Sequence, residues 1–194
     1  MNAERIQQLA RDERLARRAG FWWGFAEGLV FFIVPDVYVS FAALFSLRAG
    51  LTAWGASIAG SLAGVGTIYL LIAVLGFDYV RFLDVIPGIS AAMLLRVGAE
   101  MGAQGLPWTP LLILGGVPLK VYAGIAFFLG FGLVPVLLWT VFARIVRMAP
   151  VFAVAAGARL LFRGSIDARP ARWTAVLGAV WFVFYVFYFI RMSR

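Results

Sequence analysis

Residues 25–45 read FAEGLVFFIVPDVYVSFAALF. Two carboxylates, Glu27 and Asp36, stand inside an otherwise apolar run, with Pro35 at its centre. An ionised side chain deep in a bilayer costs about 2.5–3.5 kcal/mol on insertion scales, so it faces protein or water and carries a role. Proline removes a backbone donor and breaks or kinks a helix. The arms before and after Pro35–Asp36 hold roughly a dozen residues each, short of the ~20 that a span requires. Residues 21–48 are therefore predicted to form a re-entrant hairpin that turns at mid-depth, with Pro35 in the turn. Irregular backbone at that depth survives only when buried in protein or lining a wet cavity. The remainder of the chain has to house it.

Composition agrees. Of 194 residues, 63% are hydrophobic and 13% charged, against about 45–50% apolar in soluble domains. The expectation is an all-α, multi-pass membrane protein of one domain. The formal charge of +8 comes from arginines at the ends of apolar segments, so it is assigned to topology and anionic headgroups rather than nucleic acid. The chain has no Cys and no His. That excludes thiol catalysis and thiolate or imidazole metal sites. No cofactor is expected. No serine or threonine has an evident general base, so an enzyme is not expected.

Taken in order, residues 1–20 form a basic amphipathic segment with Arg5, Arg11, Arg14, Arg17 and Arg18, and are predicted to lie at the cytoplasmic face. This segment has no apolar core of the signal-peptide type. Residues 21–75 form the first hairpin plus a span over 51–75. That span repeats small residues at Ala56, Gly60 and Gly64, which lets a second helix, expected to be the hairpin, pack closely. Glu27 lies within a turn or so of Trp22 and Trp23, so an interfacial place would account for it cheaply. Residues 76–105 carry Asp78, Arg81, Asp84, Arg96 and Glu100, with Pro87–Gly88 between two pieces. They are read as an interfacial connection.

Residues 106–162 repeat the first plan. Val-Pro, a charge and Val-Tyr recur in IVPDVYVSFAALF (33–45) and GVPLKVYAGIAFFL (116–129). Lys120, the chain's single lysine, stands where Asp36 stands. Gly115, Gly116 and Pro118 are the predicted turn of a second re-entrant hairpin. The span that follows carries Arg144 and Arg147 well inside it, with a kink expected at Pro150. Residues 173–191 form a clean apolar span, expected to be peripheral and lipid-facing. The two hairpin-plus-span units would enter from opposite sides, the inverted-repeat plan in which a site forms where the broken segments meet. Arginines at 5, 11, 14, 17, 18, 48, 159, 163, 169 and 172 lie on the proposed inside.

Four patches over residues 25–162 resemble the DedA superfamily, also called VTT or SNARE-associated Golgi protein-like, and most closely its small bacterial YqaA-like branch. They are Glu27 followed by Pro35–Asp36; Gly60-Ser61-Leu62-Ala63-Gly64 before Tyr69; Val117-Pro118-Leu119-Lys120-Val121; and Arg144-x-x-Arg147. The chain departs from that pattern at Val34, where a second proline is usual, and after Tyr69, where Gly-Arg is missing. The resemblance implies paired re-entrant hairpins in a bacterial inner membrane. It implies a function in moving phospholipid or polyprenyl phosphate between leaflets, with proton coupling. Glu27, Asp36, Arg144, Arg147 and Lys120 would be the transport residues. A secondary transporter of ions or small solutes and a non-transporting membrane-assembly factor are the alternatives. Bound lipid and protons are the expected partners.

Overall fold

A computed structural model describes residues 3–110 and 115–192, and all regular structure in them is helical. The helices are α1 (Ala3–Arg11), α2 (Glu13–Leu29), α3 (Asp36–Phe45), α4 (Leu47–Ala73), α5 (Tyr79–Leu83), α6 (Ala91–Gln104), α7 (Leu119–Phe128), α8 (Leu133–Leu161), α9 (Arg163–Ala168) and α10 (Pro170–Met192). Three stretches are long and apolar enough to cross a membrane: α4, α8 and residues 170–190 of α10. At 27 residues, α4 is about 40 Å long, more than the bilayer core needs. Ten-residue α3 and α7 reach only about 15 Å.

The first unit differs from the expectation at its start. Residues 13–20 are not part of a separate surface segment. Asp12 accepts from the backbone N–H groups of Arg14 and Leu15, which ends α1 and starts a new helix. That helix runs unbroken to Leu29. The chain then leaves helical geometry over residues 30–35 and returns through α3. Only Ser46 separates α3 from α4, and its hydroxyl caps α4 at Ala49 N.

Two helices pack on small residues. Along α2, Gly20 and Gly24 lie against the backbone of Ala53 and Ser57, and Gly28 lies against Ser61 and Gly64. From the other side, Gly60 and Gly64 lie against Phe21 and Phe25. The numbers rise together, so α2 and α4 run parallel. Any β-carbon at Gly24 or Gly60 would overlap a carbonyl oxygen. The close approach predicted for the α4 stripe is thus realised, and its partner is the hairpin's first arm. Ala56 sits at the margin of the contact rather than in it.

Against α4, α8 runs antiparallel: Trp54 meets Phe152, and the Ser57 hydroxyl lies 3.7 Å from Met148 Sδ. Pro150, where a kink is expected, lies inside α8, which continues past it to Leu161. Every residue of α7 from Leu119 to Phe127 is buried, as befits a helix apolar on all sides. Residues 76–105 help to enclose it. They form two helices that bury Tyr79, Leu83, Met93, Val97 and Met101 in the largest core cluster. The segment is therefore part of the core, in addition to carrying an exposed charged face. Gly88 takes φ +83 at the predicted break.

Gly116 takes φ +88, a left-handed conformation that glycine adopts without a β-carbon clash. Pro118 directly precedes α7, as Pro35 precedes α3. Part of the arm expected to lead into this turn, residues 111–114, falls outside the described residues.

At the arginine-rich end, α1 docks on α9. Asp167 takes Arg11 Nη2 at 2.7 Å and Arg159 Nη1 at 2.8 Å. The Gln7 amide donates to the Asp167 carbonyl. Ile6, Ala10, Leu44, Phe45 and Ile166 form the apolar cluster beneath.

Candidate functional site

The break after α2 exposes backbone groups that a continuous helix would satisfy. Side chains from four elements take them up. Tyr79 Oη of α5 donates to the Leu29 carbonyl. Lys120 Nζ of α7 donates to the Glu27 carbonyl at 3.1 Å and the Phe31 carbonyl at 2.9 Å. Trp23 Nε1 of α2 itself donates to the Ile33 carbonyl at 2.9 Å. Val34 N donates to Tyr185 Oη of α10 at 2.8 Å. The turn is irregular but closely held, and it delivers Pro35 and Asp36 at the start of α3.

Lys120 is 1% exposed and spends its charge on the carbonyl end of α2. A cation there is favoured by the helix dipole and replaces missing intrahelical donors. Glu27, one turn earlier, is also 1% exposed and pairs with Arg144 Nη2. Parallel packing of α2 on α4 turns Glu27 inward, toward the middle of α8. Arg144 sits at the twelfth position of the 29-residue α8. Its Nε and Nη1 have no hydrogen-bond partner.

Asp36 differs. It is 2% exposed, yet neither carboxylate oxygen has a hydrogen-bond partner. On α8, Arg147 lies one helical turn beyond Arg144. Arg147 is half-buried and in no ion pair among the described residues. Both Asp36 and Arg147 line a cavity of about 550 Å³. An unpaired buried carboxylate calls for explanation, and an acidic group at a helix N-terminus is partly stabilised by the helix dipole.

The cavity lies between α3, the second half of α8, and α10. Glu27, Asp36 and Arg147 provide its charge; Gly116 and Pro118 close that end. The remaining wall is apolar and aromatic. From α10 it uses Trp173, Val176, Leu177, Val180, Trp181, Phe184, Tyr185 and Tyr188. These positions step by three and four, which places them on one helix face. None of the most apolar stretch of α10 is buried, in keeping with a helix at the periphery, and one of its faces forms the cavity wall. The spacing was readable in the sequence, although a uniformly apolar helix hides it from a charge-based reading.

All five charged residues expected at the site come together. Glu27, Arg144 and Lys120 are engaged with protein groups, Glu27 also reaching the cavity lining; Asp36 and Arg147 face the cavity without an ion pair among the described residues. Among the turn residues, Gly116 and Pro118 reach the cavity lining, Pro35 holds the helix start beside it, and Gly115 lies in the bend before Gly116. Trp23, Tyr79, Ser40 and Tyr185 had no sequence signal, since their partners are backbone groups or side chains 10 to 151 positions away. Among the described residues no group of three acids, histidines or cysteines could hold a metal ion. No protein-family model matches this chain, and no curated protein or solved structure does either.

Proposed function

We propose that this protein moves amphiphilic lipids, phospholipid or polyprenyl phosphate, between the leaflets of a bacterial inner membrane. On this reading α2–α3 and the segment ending in α7 are two re-entrant hairpins related by an inverted repeat. The arginine-rich end, with the N-terminus, faces the cytoplasm.

The observation that carries the reading is the cavity. An apolar groove between α8 and α10 ends at Asp36, whose carboxylate has no hydrogen-bond partner among the described residues, and at Arg147. That combination suits a molecule with an apolar tail and a charged head. A guanidinium offers bidentate hydrogen bonds to a phosphate. Asp36 is placed to take a proton or a cationic group. Further support comes from the antiparallel run of α4 and α8, from the matched Pro-then-ten-residue helices α3 and α7, and from the resemblance to the DedA superfamily. In this account Glu27, Arg144 and Lys120 position the hairpin, and Asp36 and Arg147 meet the headgroup.

The test is headgroup translocation in proteoliposomes, read by quenching of labelled phospholipid from the outside. Wild-type vesicles are expected to exchange label faster than protein-free vesicles. Asp36→Asn and Arg147→Ala each lower the rate about tenfold, the scale of one charge-assisted hydrogen bond. Equal rates with and without protein overturn the proposal. Uptake of small labelled solutes without lipid movement would replace it with solute transport.

A further inference from the structure

α10 forms much of the cavity wall but is held differently from the other two spans. In its most apolar stretch no residue is buried, whereas a third are buried in α4 and α8. Its base is anchored: Trp173 Nε1 donates to Ser165 Oγ at 3.1 Å, and Trp173 and Leu177 pack on the Ile166 cluster. Above that anchor, two side-chain hydrogen bonds tie it to the hairpin. Trp181 Nε1 donates to Ser40 Oγ at 3.0 Å, and Tyr185 Oη accepts from Val34 N at 2.8 Å. The helix begins at Pro170, after Arg169 leaves helical geometry at φ −136 and ψ 59. A proline at that point offers no N–H to carry the α9 ladder onward.

The second of those bonds is on an unusual atom. Val34 lies two residues before Asp36, inside the side-chain-held turn. Of the four groups that hold the turn, Tyr79, Lys120 and Trp23 come from helices inside the bundle or from α2 itself. Tyr185 alone comes from the exposed span.

We infer that Tyr185 is a positioning residue that couples α10 to Asp36, and that α10 is the movable wall through which an amphiphile enters the cavity from the bilayer. When α10 is seated, Tyr185 holds Val34 and fixes the Asp36 end of the turn. When its upper part swings away from the anchored base, the apolar groove opens sideways to lipid and the turn loses one of its four ties. This deepens the function proposed above and rests on it for the identity of the amphiphile. The movement itself does not.

Two measurements separate these claims. The chain has no cysteine, so introduced thiols are the only ones. In Ser40→Cys/Trp181→Cys, a short reducible bis-thiosulfonate linker is expected to pin α10 shut. Lipid translocation then falls about tenfold or more and returns on reduction, as for a lid that gates turnover. Linked protein that translocates as fast as the same protein after the linker is cleaved overturns the movable wall. The second measurement needs no transport. Spin labels at Leu138→Cys on α8 and Val183→Cys on α10, both exposed, report the α8–α10 separation. Tyr185→Phe, which keeps the ring and loses the hydroxyl, is expected to shift the distribution toward longer distances. An unchanged distribution overturns the coupling. Wild type that carries no lipid removes the proposed function while the distances still decide the motion.

Discussion

Glu27 and Asp36 are nine positions apart and almost equally buried, yet they are in opposite states. Glu27 has Arg144 as an ion-pair partner, and its backbone carbonyl is held by Lys120. Asp36 has no hydrogen-bond partner and faces a cavity. The difference follows from the break between them. Up to Leu29 the chain is helix, locked against α4 through glycines, so Glu27 has a fixed direction and a fixed partner. After the turn the chain reverses, and Asp36 emerges at a helix start on the cavity wall. Two acids of similar burial thus divide into a fastener and a candidate contact for ligand.

The largest effect that sharpens this division is at Arg144. Arg144→Ala leaves Glu27 buried and unpaired, which costs about 3–5 kcal/mol. Detergent-solubilised variant is expected to unfold at clearly lower temperature, and Glu27→Gln combined with Arg144→Met to recover much of the loss. A thermally unchanged Arg144→Ala would break the assignment of Glu27 as a fastener.

Next is the packing that aims Glu27. Gly24→Ala puts a β-carbon into the Ser57 carbonyl and forces α2 off α4, a destabilisation of about 1–3 kcal/mol by overpacking. Gly55→Ala, at a glycine with nothing nearby, is expected to be neutral or slightly stabilising, since alanine is the better helix former by about 1 kcal/mol. Thermal unfolding of the two side by side is the check, and equal melting temperatures would refute the tight interface.

Asp36→Asn should behave in the opposite way to Arg144→Ala. Its thermal stability is expected to stay within about 1 kcal/mol of wild type or to rise, because an uncompensated charge is removed, while translocation falls. Loss of folding without an effect on transport would exchange the roles of the two acids.

The smallest effect lies outside the membrane, at Asp167. The hydrogen bond from Arg159, with the charges of Arg159, Arg11 and Arg163, holds its carboxyl below the usual value of 3.8. The folded pKa is lower than the unfolded one, so the stabilisation is fully present above the unfolded value and is lost as pH falls through the folded one. The group is a third exposed, so its whole contribution is under about 1 kcal/mol. Protease cleavage after α1 is expected to quicken as pH drops below about 4, the unperturbed aspartate range. Asp167→Asn is expected to abolish the pH dependence.

Much of the architecture was legible without coordinates. The three spans lie within a few residues of the boundaries that apolar length and polar ends suggest, because bilayer thickness sets both. The break before Asp36 was readable from Pro35, whereas the first arm, 17-residue α2, is longer than the expected dozen. The start of α2 was not, since Arg14, Arg17 and Arg18 on a helix look the same whether that helix stops at Gly20 or runs on. Gly20, Gly24 and Gly28 form a second four-residue stripe facing the one on α4; together the two stripes name the pair of helices that touch. In residues 76–105 the charges mark the exposed face, and the spacing of Met93, Val97 and Met101 marks the buried one.

Residue chemistry by itself determined that Glu27, Asp36, Lys120, Arg144 and Arg147 require company, because a charge in an apolar run has few places to go. It also set the helical class, the number of long spans and the position of the break. Only the tertiary structure decided which charges are spent on the protein and which are left over. That depends on the register of α2 on α4 and on the direction of α8, neither of which is a local property. It decided as well that Tyr185, from a helix that looks like plain membrane anchor, reaches the turn beside Asp36. A hydrogen bond to a backbone amide 151 residues away leaves no mark on the sequence, since any tyrosine in an apolar helix looks the same until the chain has folded around it.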